Sequence, residues 1–269
     1  MEQRVNSWFM PIVTVVAVVA AIVLAFIGSG AMGGTEVSEA AGGALSADAT
    51  PFAPDGPAFS IWSVIYAGLV LYTIYQLLPK QRASARHARL RPWAALSALL
   101  NAAWLGVVQL DSIWGSVIVI VILLLVLIRI LLILRSGKPS TNTDRIITDG
   151  TFGLYLGWVT VATTANTAAL IADLTGLDTF TGWEWAAVAV IAVVAAIGIG
   201  LEIFNQGRIA PALAISWGLA WIAVARTSGE FESLILVWAA GIAAALVLAT
   251  AIWVRIVSER KTAKTTWRP

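Results

Sequence analysis

Eight long apolar runs constrain the fold of this chain more than any other feature. Each is close to the roughly 20 residues that a helix needs to cross the hydrocarbon core of a bilayer. The runs are approximately residues 8–27, 59–78, 93–110, 113–134, 152–172, 183–204, 209–225 and 234–254. Backbone groups in hydrocarbon must be hydrogen-bonded within the segment, so unalternating runs of this length predict helices and not barrel strands. The predicted fold is an all-α integral membrane protein with eight transmembrane helices.

The composition agrees with a membrane environment and excludes several kinds of site. Of the 269 residues, 59% are hydrophobic and 12% are charged, whereas soluble domains average about 45–50% apolar and about 25% charged. The chain has no cysteine, which excludes disulfides and thiolate metal sites. Its single histidine, His87, excludes a zinc site built from several histidines. We therefore expect no metal site, no covalent cofactor and no conventional catalytic residues.

The positions of Lys and Arg predict the orientation of the helices. Fifteen of the 17 basic residues lie before the first run, in the alternate connections 79–92, 135–145 and 205–208, or in the tail 255–269. Basic residues concentrate on the cytoplasmic side of membrane proteins. Both termini are therefore predicted to be cytoplasmic, in a bacterial plasma membrane. Arg226 is the one basic loop residue on the opposite side.

Several charged residues have a structural interpretation. The segment Lys80–Arg91 has no interleaved aromatic residues for base stacking, so we interpret it as a solvated topology signal and expect no nucleic-acid partner. His87 lies in the same segment and is expected to be solvated. Arg129 and Glu202 lie close to the cytoplasmic ends of their helices and are expected to reach the interface. The first run is longer than the apolar part of a signal peptide, which favours a retained helix.

The connection 28–58 is the longest in the chain. It is rich in Gly, Ala and Ser, and Pro51, Pro54 and Pro57 stiffen its end just before the second helix. Loops of this length are commonly either functional lids or disordered segments. The prolines favour a lid that is held over the outer ends of the helices.

Aromatic and amide side chains recur at helical spacing on three of the predicted helices. In each helix they fall on one face, since residues three, four or seven apart lie on the same side of a helix. An Asn side chain in hydrocarbon needs a partner, so the Asn residues on two helices predict interhelical hydrogen bonds. Trp and Tyr also offer rigid faces that stack on planar rings, with core packing as the alternative role. The candidate ligand-binding residues are Phe59, Trp62, Tyr66, Asn101, Trp104, Trp158, Ala162 and Asn166.

These segments resemble the motifs of the tryptophan-rich sensory protein family, also called TspO/MBR or translocator proteins. The similar segments are residues 58–66, 100–104 and 157–166. They occur in the family's order on the second, third and fifth helices. The resemblance implies a TspO-like five-helix bundle in residues 1–175, with loop 28–58 as its outer lid. Residues 176–269 then form a three-helix extension with a basic cytoplasmic tail, which we expect to pack beside the bundle without lining its pocket.

The resemblance also implies a function. It predicts a membrane sensor or binding protein for a planar hydrophobic ligand, a porphyrin, in an outer-side pocket between the helices. Alternatives are a transporter of such a ligand or of a small metabolite, and a light-dependent porphyrin-degrading activity. The expected partners are membrane lipid, the planar ligand and a second copy of the chain. Sterol binding is not carried over, because the fifth helix ends in Ile171-Ala172-Asp173 without the family's Tyr followed by Lys or Arg.

Overall fold

The structure of the protein, a computed structural model, describes residues 7–28, 39, 41–176 and 181–265. Long helices dominate these residues, and no strand occurs among them. The all-α prediction is therefore confirmed for the described chain. The long helices are α1 (Phe9–Gly28), α2 (Ile61–Tyr75), α3 (Ala85–Gln109), α4 (Ile113–Ser136), α5 (Thr151–Thr175), α6 (Trp183–Phe204), α7 (Ile209–Ala225) and α8 (Leu234–Thr265).

Short helical elements join the long helices. Two 3₁₀ helices precede α2, single α-helical turns lie before α3 and after α4, and a π-helix leads directly into α5. In chain order they are Ala41–Gly43, Gly56–Ser60, Pro79–Arg82, Asn142–Asp144 and Arg145–Gly150.

Six segments in the described part of the chain are long and apolar enough to cross a membrane. They are Phe9–Ile27, Gly56–Tyr75, Ile113–Ser136, Asn142–Thr175, Trp183–Phe204 and Leu234–Arg260. Two of the eight predicted spans are not among them. The helix α7 has only 17 residues, and α3 carries arginines in its first turns and polar residues such as Ser97 and Asn101 further along. The structure thus has the character of an integral membrane protein with six candidate spans.

The long helices pack in two groups that meet along α5. In the first group α3 lies between α1 and α4, α4 packs on α5, and α2 contacts α1 and α5. In the second group α8 packs on both α6 and α7, and α7 also packs against α5. At this crossing Gly157 allows close approach, because a Cβ there would overlap the carbonyl oxygen of Pro211. Each group has its own buried apolar cluster, and the proposed division at residues 175/176 remains a prediction.

The basic segment Lys80–Arg91 is helical and partly buried, and its second half forms the first turns of α3. This corrects the expectation of a solvated loop. His87 is fully buried, its Nε2 lies 3.2 Å from Asp144 Oδ1, and its ring stacks on that of Tyr72. Arg86 forms ion pairs with both Asp144 and Asp149. The prediction that His87 is solvated is therefore wrong. The two carboxylates that face this segment come from the connection between α4 and α5, far along the chain.

Two further charged residues are buried near this segment, at the end of the bundle that we call the arginine-rich end because Arg82, Arg86, Arg89 and Arg91 lie there. Arg91 donates from Nε to Gln76 Oε1 over 2.8 Å and from Nη2 to the carbonyl oxygen of Gln81 over 2.9 Å. Glu202 is fully buried in α6, so the prediction that its side chain reaches the interface is also wrong. Arg129 is exposed on α4, with its guanidinium 5.7 Å from the centre of the Trp93 ring.

Candidate functional site

A small cavity lies among α2, α3, α4 and α5, beneath the described part of the predicted lid. We call residues 41–58 the covering loop and this space the aromatic cavity; its volume is about 30 Å³. Seven of the eight predicted site residues line it. The lining residues are Ala44, Leu45, Thr50, Ala53, Pro54, Phe59, Trp62, Asn101, Trp104, Ile120, Leu123, Trp158, Val159, Val161, Ala162, Ala165 and Asn166.

The aromatic side chains form a continuous wall. Trp62 stacks on Tyr66, with ring centres 5.3 Å apart, and meets Trp158 edge to face at 6.4 Å. Phe59 meets Trp158 in the same way at 5.7 Å. Such pairs contribute about 0.5–1.5 kcal/mol each beyond the burial of their area. Tyr66 is the one predicted site residue that does not line the cavity. It stacks on Trp62 and so helps to hold that ring in place.

Hydrogen bonds between helices hold both Asn side chains, as the sequence predicts. Asn101 Nδ2 on α3 donates to the Tyr66 hydroxyl on α2 over 2.9 Å. Trp104 Nε1 on α3 donates to Asn166 Oδ1 on α5 over 3.2 Å. The prediction of interhelical hydrogen bonds is confirmed, with aromatic side chains as the partners.

Two polar atoms of the cavity-lining residues are buried without a hydrogen-bond partner among the described residues. They are the side-chain oxygen of Asn101, an acceptor, and the indole N–H of Trp158, a donor. Buried polar groups are nearly always paired, so each such atom calls for an explanation. A ligand group that reached either atom, a donor at Asn101 or an acceptor at Trp158, would pair it.

The covering loop forms one wall of the cavity. Five of its residues line the space, and Leu45 is buried in the apolar cluster of the first helix group. The loop then enters the 3₁₀ helix Gly56–Ser60, where the Asp55 side chain accepts from the Gly56 N–H over 2.7 Å. Residues 29–38 and 40 of the predicted lid lie outside the described residues.

The remaining wall comes from α4, which the sequence did not indicate. Ile120 and Leu123 face the cavity, but residues 117–128 of α4 are all apolar, so no local pattern distinguishes these two residues from their neighbours.

The volume of the aromatic cavity limits what it can hold with the loop in place. A cavity of about 30 Å³ has room for about two water molecules, whereas pockets for drug-sized ligands have about 300–1,000 Å³. The aromatic cavity with the loop in this position is therefore too small for a tetrapyrrole.

A second cavity of about 400 Å³ lies on the other side of the covering loop, between α5 and α6. Thr50 lines both cavities. Residues of the C-terminal helices, including Trp183 and Val190, line this second cavity, but none lines the aromatic cavity among the described residues. This arrangement agrees with the expectation that the extension packs beside the pocket.

Comparison with known protein families tests the family resemblance that the sequence motifs suggest. The family described as TSPO-like protein matches residues 9–253. The chain belongs to this TSPO-like family. The match extends through the three C-terminal helices as well as the five that carry the motifs. No curated protein and no solved structure matches the chain. Family membership and the apolar helices together identify a TSPO-like integral membrane protein, and membership favours a sensor or binding role.

Proposed function

We propose that this TSPO-like protein is a membrane sensor that binds a planar hydrophobic molecule, a porphyrin, in the aromatic cavity. The observation that carries the proposal is the combination of a rigid wall of stacked rings with two unpartnered polar atoms, Asn101 Oδ1 and Trp158 Nε1. Ligand pockets characteristically combine apolar and aromatic walls with a few polar groups that fix orientation.

The binding chemistry follows from the lining residues. Trp62, Phe59 and Trp158 supply flat faces for stacking against a conjugated ring. No charged side chain lines the cavity within the described ranges. The only histidine in the chain, His87, is occupied beside Asp144 and Tyr72 and is not among the lining residues. The porphyrin would therefore be held by shape and stacking, and not by iron ligation.

Loop movement would convert binding into a signal. The closed cavity is too small for a porphyrin, so the ligand would stabilise a conformation in which the covering loop has shifted. A ligand changes the balance between two conformations by its difference in affinity for them. The position of the covering loop would then report whether ligand is bound.

The proposal includes a topology of eight transmembrane helices, with both termini cytoplasmic and the covering loop outside a bacterial plasma membrane. At 1.5 Å per residue, the 17 residues of α7 extend over roughly 26 Å, close to the roughly 30 Å of a hydrocarbon core. This short helix packs between α5 and α8, so protein and not lipid covers much of its surface.

A direct binding measurement tests the proposal. The full chain is purified into lipid nanodiscs and titrated with protoporphyrin IX, and quenching of tryptophan fluorescence is recorded. We expect saturable quenching that a non-planar hydrophobic molecule of similar size does not compete away. Quenching that rises linearly without saturation, equal to that of empty nanodiscs with free tryptophan, would contradict the proposal.

A further inference from the structure

Arg226, the basic residue that departs from the charge pattern, is fully buried against the covering loop. It follows the last residue of α7. Its Nη1 donates to the carbonyl oxygen of Thr50 over 3.2 Å, and its Nη2 donates to the carbonyl oxygen of Ala47 over 2.6 Å. The guanidinium also lies 5.5 Å from the centre of the Phe231 ring. Because a guanidinium is a rigid planar fork, one side chain holds two points of the loop at a fixed separation.

Two more hydrogen bonds join α7 to the end of the covering loop. Trp217 Nε1 donates to the carbonyl oxygen of Ala58 over 2.9 Å. The backbone N–H of Asp55 donates to the carbonyl oxygen of Trp221 over 3.3 Å. The two Trp rings meet edge to face, 5.5 Å apart. One face of α7 is therefore hydrogen-bonded to the last residues of the covering loop.

The turn between α7 and α8 also packs closely on the loop. Gly229 has a φ of +89°, and a Cβ at this position would overlap the carboxylate of Asp48. Burial lowers the pKa of Arg226, and the carboxylates of Asp48 and Asp55 oppose this shift. The two acidic loop residues therefore contribute to holding the arginine charge beneath the loop.

The covering loop lies between the two groups of helices and contacts both. Leu45 packs in the apolar cluster of the first group, whereas Phe52 packs against that of the C-terminal helices. Arg226 binds the carbonyl groups of Ala47 and Thr50. In the chain, these two residues lie between Leu45 and Phe52. A shift of the loop that enlarges the aromatic cavity would therefore disturb the hydrogen bonds of Arg226.

We propose that the three C-terminal helices hold the covering loop closed over the aromatic cavity, with Arg226 as the positioning residue. These helices would thereby set the rate at which a ligand enters. The effect on ligand rests on the proposed function, but the restraint on the loop is a property of the ligand-free protein and is tested separately.

Hydrogen exchange on the ligand-free full chain in nanodiscs tests the restraint. Amides of Ala49, Ala53 and Asp55 are hydrogen-bonded in the closed loop, so their exchange reports opening. In Arg226→Gln we expect peptides covering residues 44–58 to exchange at least about fivefold faster, with α3 and α4 unchanged. Arg255→Gln is the matched control, since Arg255 pairs with Glu259 within α8 and should leave the loop unchanged. Unchanged loop exchange in Arg226→Gln would overturn the proposal.

Two milder variants keep the test decisive if Arg226→Gln does not fold. Arg226→Lys keeps the charge but cannot span both carbonyls, and Trp217→Phe keeps a ring but loses the N–H to Ala58. Each is expected to speed exchange in the loop, Trp217→Phe mainly near residue 58. If neither folded variant changes loop exchange, the proposal is wrong.

Stopped-flow mixing with protoporphyrin IX tests the consequence for ligand. In the Arg226 variant that folds, we expect association to be at least about threefold faster and dissociation to change less, because the Arg226 hydrogen bonds stabilise the closed, ligand-free loop and not the shifted loop of the complex. If the loop exchanges faster but porphyrin associates at an unchanged rate, the claim that the loop controls ligand entry is wrong. If porphyrin does not bind the unmodified protein, the proposed function fails while the exchange result still decides the restraint.

Discussion

The indole N–H of Trp104 donates to the side-chain oxygen of Asn166, and both side chains are buried between α3 and α5. This bond joins two walls of the aromatic cavity. Asn166 also donates from Nδ2 to the carbonyl oxygen of Ala162, one turn earlier in α5, over 2.8 Å. The hydrogen bond to Ala162 thus fixes the orientation of the Asn166 amide, and its oxygen accepts from Trp104 on α3.

Asn166→Ala is expected to lower stability, because it leaves the Trp104 N–H buried without a partner. Interhelical hydrogen bonds in membrane proteins contribute about 0.6–2 kcal/mol, and we expect a loss of this size in the free energy of unfolding. Denaturant titration of Asn166→Ala, Trp104→Phe and the double variant measures the coupling. Additive effects of the two substitutions would contradict the role of this bond.

Asp144→Asn is expected to be the most destabilising conservative change at the arginine-rich end. Asp144 is buried beside Arg86 and His87 and also accepts from the Thr148 hydroxyl. Breaking a buried ion pair costs about 3–5 kcal/mol, because a buried charge loses its partner. Glu259→Gln is the matched control, since its pair with Arg255 is exposed and should contribute less than about 1 kcal/mol. Equal unfolding free energies for the two variants would refute this assignment.

The proposed topology is testable by single-cysteine labelling, because the chain has no cysteine of its own. Lys138 and Glu230 are both exposed, on the α4–α5 and α7–α8 connections. In intact cells a membrane-impermeant maleimide should label Glu230→Cys, whereas Lys138→Cys should react only after permeabilisation. Labelling of Lys138→Cys in intact cells would mean that one of the eight proposed spans does not cross.

Much of the helical fold and of the cavity could be predicted from local sequence patterns. Long apolar runs specify helices whatever their neighbours, and one-face spacing places Trp62, Asn101 and Asn166 toward the interior of the bundle. The resemblance to the TspO/MBR motifs, together with this spacing, indicates that they meet in one pocket. Ile120 could not be found in this way, because residues 117–128 of α4 are all apolar.

The errors concern charged residues whose partners lie far away in sequence. His87 was expected in solvent because its neighbours are basic, but Asp144 and Tyr72 enclose it. Arg226 stood out as an exception to the charge pattern, yet its acceptors are carbonyl groups of Ala47 and Thr50. Backbone acceptors leave no mark in a sequence, so the link between the extension and the covering loop could only be seen in the structure.

The central claim is that the aromatic cavity binds porphyrin, and the affinity of cavity variants for protoporphyrin IX tests it most directly. Ala162→Leu fills the space beside Asn166, and Trp62→Ala and Trp104→Ala remove parts of its wall. Ala103→Leu, the same enlargement at an exposed position of α3, is the control. We predict that each cavity variant weakens binding about tenfold or more, equivalent to about 1.4 kcal/mol, while Ala103→Leu binds like the unmodified protein. Unchanged affinity in all three cavity variants would contradict the account.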